Sequence, residues 1–282
     1  MTSEVLRLGL IGDNIAASQA PRFHRLAGAQ NGCRVTYDRL VPADMGMPFD
    51  AVFDHVSQNG YRGVNITYPY KERAAAKVKI SDPLVQAIGA VNTVIFDGEM
   101  PQGFNTDYSG FVAAYRAARG QAGPGSVLMI GAGGVGRAVA FGLVALGAEE
   151  VRIVDRDDVK ARLLAQSLSA AVPGLRVRTG SDAETAAKGT SGIINCTPVG
   201  MVGYEGTPLH RAAMAGAKWC LDAVYTPVDT EFLQHAAESG AEIISGYELF
   251  IGQGVDAWAI FSGLPLDTAQ LRKDLAAGKD VP

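Results

Sequence analysis

The chain has 282 residues, of which 48% are apolar and 19% charged, and its 29 acidic and 25 basic side chains give a net charge of −4. This apolar content is enough for a sizeable core, which excludes wholesale disorder, and the length predicts one large or two ordinary domains. The acidic excess and the lack of a Lys/Arg run exclude an electrostatic surface for nucleic acid or for an anionic membrane.

The first part of the chain alternates short β-branched segments with helical ones, which predicts α/β units with parallel strands. In chain order the predicted elements are strand Leu6–Ile11, helix Pro21–Gln30, strand Arg34–Leu40, helix Phe49–Asn59, strand Gly63–Thr67, helix Lys71–Val78, strand Ala90–Phe96 and helix Thr106–Arg119. The segment Gly120–Gly125 follows, with three glycines and a proline, and is predicted to link two domains.

The same alternation continues after Gly125 and predicts a second series of parallel α/β units. Its predicted elements are strand Val127–Ile130, helix Val135–Leu146, strand Val151–Val154, helix Val159–Leu168, and strands Val177–Thr179, Gly192–Asn195, Trp219–Ala223 and Glu242–Ser245. From Glu248 onward the pattern predicts helices, with Leu249, Phe250 and Gln253 at helical spacing.

Glycine makes up 34 of the 282 residues, about 12% against a usual ~7%, and its densest motif is Gly131-Ala132-Gly133-Gly134-Val135-Gly136. The motif follows a predicted strand and opens a predicted helix, which is the context that dinucleotide binding requires. There Gly131 would form the tight turn, Gly133 would let the backbone approach a pyrophosphate, and Gly136 would allow close strand–helix packing. The helix N-terminus adds N–H donors and a positive dipole end, so we predict a dinucleotide site.

Asp155 closes the next predicted strand, 24 positions after Gly131, near the ~20 expected for an acid that binds ribose hydroxyls. Arg156 alone could serve the 2′-phosphate of NADP, but the carboxylates of Asp155 and Asp157 on either side would repel that phosphate. Alternatively, Arg156 is solvated and Asp157 caps the following helix, which is equally compatible with NAD. NAD is therefore the favoured cofactor, and NADP the less favoured one.

Three polar positions of the first half are open to two interpretations. Lys71 lies after a predicted strand, where α/β sheets bind ligands, yet a solvated lysine in a first helical turn is equally consistent with the spacing. Asp107 follows Asn105-Thr106, and these residues could simply cap a helix whose dipole favours the carboxylate. Asn92 could reflect turn chemistry alone.

The cysteines and histidines give no metal or triad spacing, so no metal site is predicted. The cysteines Cys33, Cys196 and Cys220 form no C-x-x-C pair, which excludes a disulfide framework and indicates a reduced, cytoplasmic protein. Cys196 follows a predicted strand without a nearby histidine, and we interpret it as buried and inert. The histidines are interpreted as surface or core residues; they are His24, His55, His210 and His235.

Taken together, these motifs resemble those of the shikimate dehydrogenase family over nearly the whole chain, and most closely its NAD-using quinate/shikimate dehydrogenase branch. The similarity lies in eight segments that occur in the family's order. They are Ile11–Pro21, Val64–Lys71, Gly89–Val94, Asn105–Phe111, Gly131–Gly136, Asn195–Met201, Asp222–Pro227 and Gly246–Gln253.

The resemblance implies roles for individual residues. It implies that Lys71 and Asp107 are the catalytic pair. The positions that it implies for holding the substrate's carboxylate and hydroxyls, or for lining its cleft, are Ser18, Thr67, Asn92, Gln253 and Tyr225. The positions that it implies for the cofactor are the loop residues Gly131, Ala132, Gly133, Gly134 and Val135, the acid Asp155 with Arg156, and the nicotinamide-side residues Thr197, Val199, Met201 and Val224.

The sequence also departs from the family pattern. The family has a second hydroxyl residue two positions after the one matched by Ser18, and here that position is Ala20. Gln253 is preceded by Gly252, and Leu249 replaces a usual methionine. These departures bear on which cyclic acid is the substrate rather than on the type of reaction.

The chemistry of alcohol oxidation fits the catalytic pair. The hydroxyl proton must leave as hydride passes to the nicotinamide, so the reaction needs a base and a group that stabilises the developing alkoxide. A lysine removed from water can act as the base, and Asp107 can orient Lys71 and accept a hydrogen bond from the reacting hydroxyl.

The resulting expectation is a two-domain α/β oxidoreductase of shikimate, quinate or a close relative. Residues 1–105 form an α/β substrate domain, residues 106–245 a Rossmann NAD-binding domain, and residues 246–282 helices that return to the first domain, with the active site in the cleft between the domains. The expected partner is a small cyclic hydroxy acid, and the expected state is a monomer or homodimer. Three alternatives stay open: a dehydrogenase of a modified shikimate such as aminoshikimate, a non-catalytic NAD-binding redox sensor, and a folate-type dehydrogenase.

Overall fold

The computed structural model describes residues 5–279, and its internal contacts divide the chain into two units. Unit 1 comprises the described residues of Met1–Thr106 and Gln253–Pro282, and unit 2 comprises Asp107–Gly252. The outer ends of the predicted segments 1–105 and 246–282 lie outside the described residues.

Unit 1 is built on a five-stranded sheet with the order β2-β1-β3-β4-β5. Its elements in chain order are β1 (Val5–Ile11), α1 (Ala20–Gln30), β2 (Arg34–Leu40), α2 (Phe49–Gln58), β3 (Gly63–Ile66), α3 (Lys71–Ala75), α4 (Pro83–Ile88), β4 (Thr93–Ile95) and β5 (Gln102–Phe104). Strands β1, β2 and β3 are parallel, whereas β4 pairs antiparallel with both neighbours. The carboxyl ends of the three parallel strands therefore share one edge of the sheet.

The helix predicted at Phe49–Asn59 forms as the amphipathic helix α2 (Phe49–Gln58). Helix α2 buries Phe49, Val52, Phe53 and Val56, and these side chains share a core cluster with Ile11 and other apolar residues of the sheet. This pattern of apolar residues three and four positions apart is what places one face of the helix on the sheet.

Unit 2 contains a six-stranded, fully parallel sheet with the order β11-β10-β9-β6-β7-β8. The elements that follow β5 in the chain are α5 (Thr106–Arg119), β6 (Ser126–Ile130), α6 (Gly134–Ala145), β7 (Glu150–Val154), α7 (Asp158–Ala171), β8 (Arg176–Gly180), α8 (Ala183–Ala187), β9 (Gly192–Asn195), a 3₁₀ helix (Arg211–Met214), β10 (Trp219–Asp222), α9 (Glu231–Glu238), β11 (Glu242–Ile244), α10 (Gly246–Ser262) and α11 (Thr268–Ala276). Relabelled from its own first strand, this is the 3-2-1-4-5-6 order of the dinucleotide-binding fold, whose ligand lies where the order reverses, between β6 and β9. The predicted α/β class with a Rossmann unit is confirmed.

The predicted linker Gly120–Gly125 does not separate the two units. It joins α5 to β6 inside unit 2, because α5 packs on that unit: Tyr115 meets Trp219 edge-to-face at 5.0 Å, and Phe111 lies against Gly142. The chain instead passes from one unit to the other after Thr106 and returns after Gly252, inside helix α10. In the described part of the chain, no helix combines the length and apolarity needed to cross a membrane.

Candidate active site

Lys71 is a buried lysine at the carboxyl edge of the parallel strands of the unit 1 sheet. Just after β3, the Thr67 N–H donates to the Ile11 carbonyl at 2.9 Å, and the Thr67 carbonyl accepts from the Tyr70 N–H at 2.9 Å, which closes a turn. Lys71 then opens α3 with 8% of its surface exposed, and its carbonyl accepts from the Val91 N–H at 3.0 Å. The interpretation of a solvated first-turn lysine is therefore wrong.

Asn92 is the centre of a hydrogen-bond group that we call the amide network, made of Asn92, Thr93, Thr106 and Gln253. The Asn92 Nδ2 donates to Thr106 Oγ1 at 2.9 Å and to Gln253 Oε1 at 3.0 Å. Its Oδ1 accepts from the Thr106 N–H at 2.8 Å and from Thr93 Oγ1 at 3.2 Å. With 2% of its surface exposed, Asn92 does far more than form a local turn, since it fixes both Gln253 and the beginning of α5.

Asp107 lies in the first turn of α5, directly after Thr106, and 2% of its surface is exposed. Its carboxylate is favoured there by the helix dipole. The neighbouring Asn105 side chain donates from Nδ2 to the Ala90 carbonyl at 2.9 Å. The residues before Asp107 are thus bound to the segment that carries Asn92, which sets where the helix begins.

Asn65 forms hydrogen bonds to two members of the amide network, Asn92 and Thr93, and the sequence analysis did not single it out. Its Oδ1 accepts from the Tyr37 hydroxyl at 2.8 Å, and its Nδ2 donates to Thr93 Oγ1 at 3.1 Å and to the Asn92 carbonyl at 3.3 Å. The ring of His24 stacks on Tyr37 at a centroid distance of 5.2 Å, and burial lowers the pKa of His24 to about 3. The only sequence signal for this support was one polar residue in the otherwise apolar strand β3.

The loop after β1 carries Ser18. The Ser18 Oγ accepts from the Ala20 N–H at 3.3 Å, and the Ser18 carbonyl accepts from Arg39 Nη2 at 3.0 Å. Ala20 begins α1 and is half-buried. Among the described residues, Ser18 forms no hydrogen bond to Lys71 or to the amide network.

In unit 2 the glycine-rich loop has the geometry that its sequence predicts. Gly131 has a φ of +103°, and a Cβ there would lie 2.7 Å from the carbonyl carbon of Cys196. A Cβ on Gly136 would lie 2.1 Å from the Gly131 carbonyl oxygen, so both positions require glycine. A Cβ on Gly133 would instead face open space, at the point where α6 begins with Gly134. This leaves room for a phosphate group at a helix N-terminus, and a dinucleotide fits the loop.

Asp155 joins the strand end of β7 to the glycine-rich loop. Its Oδ2 accepts from the Ala132 N–H at 2.6 Å, and its Oδ1 accepts from the Asp157 N–H at 2.8 Å. Asp157 is the N-cap of α7, with its Oδ1 accepting from the N–H groups of Val159 and Lys160, as the alternative interpretation predicted. Arg156 is exposed and forms no hydrogen bond or ion pair with the described residues.

The loops after β9 and β10 carry the residues assigned to the nicotinamide side. Asn195 Oδ1 accepts from the Thr197 N–H at 2.9 Å and from Thr197 Oγ1 at 2.7 Å, while its Nδ2 donates to the Val199 carbonyl at 3.0 Å. Asp222 Oδ1 accepts from the Val224 N–H at 3.0 Å. Neither Asn195 nor Asp222 was assigned a role from the sequence.

Met201 and Tyr225 lie further along the same two loops. Tyr225 stacks on Phe250 of α10 at 4.7 Å. Met201 lines an open depression whose other walls include Gly200, Val202, Gly206, Pro227 and Thr230.

Cys196 corrects one expectation. It is half-buried rather than buried, and its backbone lies against Gly131 at the edge of the glycine-rich loop. Of the other cysteines, Cys220 is buried, and burial raises its pKa to about 12. Residues 5–279 contain no group of three or more His, Cys, Asp or Glu side chains placed to hold a metal ion.

Two family models match the chain. One, described as the shikimate dehydrogenase substrate binding domain, matches residues 10–94. The other, described as NADP oxidoreductase coenzyme F420-dependent, matches residues 126–203. The first match contains Ser18, Thr67, Lys71 and Asn92, and the second contains the glycine-rich loop.

Curated relatives are similar over almost their full length. The shikimate dehydrogenase (NADP(+)) of Pseudarthrobacter chlorophenolicus is 34% identical, with 99% of this chain and 98% of the relative covered. The quinate/shikimate dehydrogenase (NAD(+)) of Corynebacterium efficiens is also 34% identical, with 96% and 98% covered. Relatives of equal identity thus carry names with either coenzyme.

Solved structures share the fold. Quinate dehydrogenase from Corynebacterium glutamicum in complex with NAD has a TM-score of 0.87 and 32% identity, with 97% of this chain and 100% of that chain covered. Shikimate 5-dehydrogenase from Thermus thermophilus in complex with NADP(H) and shikimate has a TM-score of 0.82 and 31% identity, with 96% and 99% covered.

Proposed function

Because the chain belongs to the shikimate dehydrogenase family, we propose that it catalyses the reversible oxidation of a ring hydroxyl of shikimate, quinate or both, with NAD as coenzyme. It is an oxidoreductase that acts on an alcohol with a pyridine nucleotide. The observation that carries the proposal is the buried Lys71, whose carbonyl is bonded to the segment that carries the amide network. A lysine withdrawn from water can transfer a proton to and from a ring hydroxyl.

The proton chemistry is assigned to Lys71 and Asp107. A bound nicotinamide dinucleotide supplies the hydride acceptor. In the oxidative direction Lys71 takes the hydroxyl proton, and in the reductive direction its ammonium group returns that proton to the carbonyl oxygen. Asp107, fixed in the first turn of α5, accepts a hydrogen bond from the reacting hydroxyl and favours the ammonium form of Lys71 once the proton has moved.

The residues proposed to bind the substrate carry hydroxyl or amide side chains. Thr67 lies just after β3, and Gln253 belongs to the amide network, where its Oε1 accepts a hydrogen bond from Asn92. Ser18 presents a hydroxyl from the loop after β1, and Tyr225 presents a phenol from the loop after β10. Such hydroxyl and amide groups match a cyclic acid with several ring hydroxyls.

The coenzyme is proposed to bind in unit 2. The pyrophosphate is assigned to the N-terminus of α6, where Gly133 leaves space, and the nicotinamide half to the loops of Thr197, Val199, Met201 and Val224. The three cysteines, none of which is in a disulfide, fit a reducing, cytoplasmic setting for such an enzyme.

NAD is proposed over NADP on electrostatic grounds. The Asp155 carboxylate is fixed by the Ala132 N–H at the end of β7, where the adenosine ribose of a dinucleotide is bound in this fold. A 2′-phosphate placed there would meet Asp155, and the nearby Asp157 adds further negative charge. The exposed Arg156 offers one cation against these two carboxylates.

An assay of shikimate and quinate with each coenzyme, followed by the absorbance of the reduced nicotinamide, tests the proposal. We expect turnover of at least one acid, faster with NAD than with NADP at equal concentrations. Turnover of aminoshikimate with neither acid accepted would replace the substrate class. Tight NADH binding without turnover of any acid would favour a sensor, which has no use for Lys71 and Asp107.

A further inference from the structure

We propose that Asp222 is a positioning residue for the nicotinamide half of the coenzyme, because its carboxylate holds the loops after β9 and β10 in one fixed arrangement. This inference rests on the proposed function, in which Thr197, Val199 and Val224 of those loops face the nicotinamide and its ribose. Asp222 itself is not assigned to touch the coenzyme.

The Asp222 carboxylate is fully buried at the carboxyl end of β10 and accepts three hydrogen bonds. Oδ1 accepts from Asn195 Nδ2 at 2.9 Å and from the Val224 N–H at 3.0 Å. Oδ2 accepts from Thr230 Oγ1 at 2.6 Å. One side chain therefore binds the end of the neighbouring strand β9, the loop that follows β10 and the N-cap of α9.

Asn195 extends this control to the loop after β9. Its Nδ2 divides its two hydrogens between Asp222 and the Val199 carbonyl, and its Oδ1 accepts from both the N–H and the hydroxyl of Thr197. Asp222 thus orients the Asn195 amide, and this amide in turn fixes the positions of Thr197 and Val199. Without the Asp222 acceptor the amide can rotate, and Thr197 and Val199 are no longer held in one arrangement.

The chemistry of the cluster requires an acceptor without a hydrogen of its own. The three neighbours are the Asn195 amide, the Val224 N–H and the Thr230 hydroxyl, all uncharged and all donating. Burial raises the pKa of Asp222 to about 6, so the charge is kept there against the preference of a buried carboxyl group for its neutral form. A residue that served only to fill this part of the core would be apolar.

The experiment compares the binding of NADH with that of ADP, which lacks both the nicotinamide and its ribose, by titration calorimetry at pH 7.5. The variants are Asp222→Ala, which removes the acceptor, and Asp222→Asn, which keeps one oxygen for Asn195 and Val224 while Thr230 turns its hydroxyl. The matched control is Glu150→Gln, since Glu150 is a buried carboxylate at the amino end of β7, on the opposite edge of the same sheet.

We expect Asp222→Ala to raise the Kd of NADH by about tenfold and to leave the Kd of ADP within about twofold, with a smaller rise in the Kd of NADH for Asp222→Asn. Glu150→Gln should leave both constants unchanged while lowering thermal stability. Equal loss of affinity for NADH and ADP in Asp222→Ala, or an unchanged Kd for NADH, would overturn the assignment.

If Asp222→Ala fails to fold, the pH dependence of the Kd of NADH in wild type and Asp222→Asn tests the assignment instead. The Kd of NADH for the wild type should rise as the pH falls through about 6, when Asp222 becomes protonated, and the Asn variant should show no such rise. Identical pH profiles would overturn the assignment. A wild type that binds ADP and NADH equally well, and turns over no acid with NAD, would instead overturn the proposed function on which the assignment rests.

Discussion

The side-chain amide of Asn92 donates to Gln253 Oε1 at 3.0 Å and so joins positions that lie 161 residues apart in the chain. The same amide donates its other hydrogen to Thr106, at the start of the helix that carries Asp107. A proposed substrate-binding residue and the helix of a proposed catalytic residue are thereby positioned by one buried side chain.

This relationship separates the expected effects of two substitutions. Asn92→Ala leaves the Thr106 N–H and Thr93 hydroxyl without their partner, which costs about 1–3 kcal/mol in the free energy of unfolding. Gln253→Ala removes a half-buried side chain, and we expect a higher KM for the acid substrate with little change in Tm. Thermal unfolding and steady-state kinetics check both, and a Tm loss as large for Gln253→Ala as for Asn92→Ala would contradict the hierarchy.

Lys71→Ala should lower kcat by about 10²–10⁴-fold, because the reaction loses its general acid and base. The Kd of NADH should stay unchanged, since the coenzyme loops belong to unit 2. Lys77→Ala is the matched control, because Lys77 follows α3 closely in the chain but its ammonium group pairs with the Asp54 carboxylate at 2.9 Å. A Lys71→Ala enzyme with near-normal kcat would refute the catalytic assignment.

Asp155→Ser should relax the preference for NAD, because it removes a carboxylate from the position of the 2′-phosphate while Arg156 stays. The measurement is kcat/KM with NAD and with NADP for wild type and variant. Asp158→Ser serves as control, since Asp158 is a neighbouring acid engaged with Arg162 at 3.2 Å. Equal use of both coenzymes by the wild type would show that Asp155 does not discriminate.

Ala20→Ser should lower the KM for shikimate by about tenfold with kcat nearly unchanged, the result expected for a uniform gain in binding. The new hydroxyl would lie two positions after Ser18, at the start of α1, and add one charge-assisted hydrogen bond to the substrate carboxylate, worth roughly 1.5–3 kcal/mol. Quinate should gain less, because we expect the space beside Ala20 to admit its extra hydroxyl. Ala16→Ser, on the exposed part of the same loop, should change nothing; a wild type already saturated at micromolar shikimate would refute this account.

His24 makes unit 1 sensitive to acid. Burial lowers the pKa of His24 to about 3 from 6.5, so the unfolded state binds the proton first, and stability is lost as the pH falls from about 6.5 toward 3. The full effect is on the order of 5 kcal/mol. Between wild type and His24→Phe, whose ring suits the cluster of Tyr37, Phe261 and Trp258, the difference in unfolding free energy should change with pH in this window.

His210→Gln is the control for that series, because His210 is exposed and far from the ring cluster in sequence. Asp222 acts in the opposite sense: its raised pKa makes stability fall as the pH rises from about 4 to 6. Taking the difference between wild type and variant at each pH cancels this contribution. A pH-independent difference would show that His24 is not the sensitive group.

The elements predicted correctly from the sequence are those defined by a local residue pattern. Strand β2 and helix α5 begin and end where their patterns change, and the glycines of the loop after β6 follow from its tight turn. Strand β5 was missed because its three residues become a strand only by pairing with β4. Helix α9 was missed because it is short, with three buried residues, and is capped by Thr230.

The proposed catalytic and binding positions came from the family resemblance, whereas their supporting residues came only from the structure. Asn65 and Asp222 are single polar residues at strand positions, and each bonds a partner 27 residues away. Nothing local in the sequence distinguishes such a residue from an ordinary strand end, because the hydrogen bonds that define its role depend on the register of neighbouring strands.

The bond between Asp155 and the Ala132 N–H restricts how the coenzyme preference of this enzyme can evolve. A mutation that removes the carboxylate also removes the acceptor for the Ala132 N–H. Alanine or glycine at this position should therefore weaken the binding of either dinucleotide. Replacements that keep a short side-chain oxygen there, such as serine or asparagine, avoid this loss. The routes toward a phosphorylated coenzyme that keep this hydrogen bond therefore pass through small polar residues at position 155.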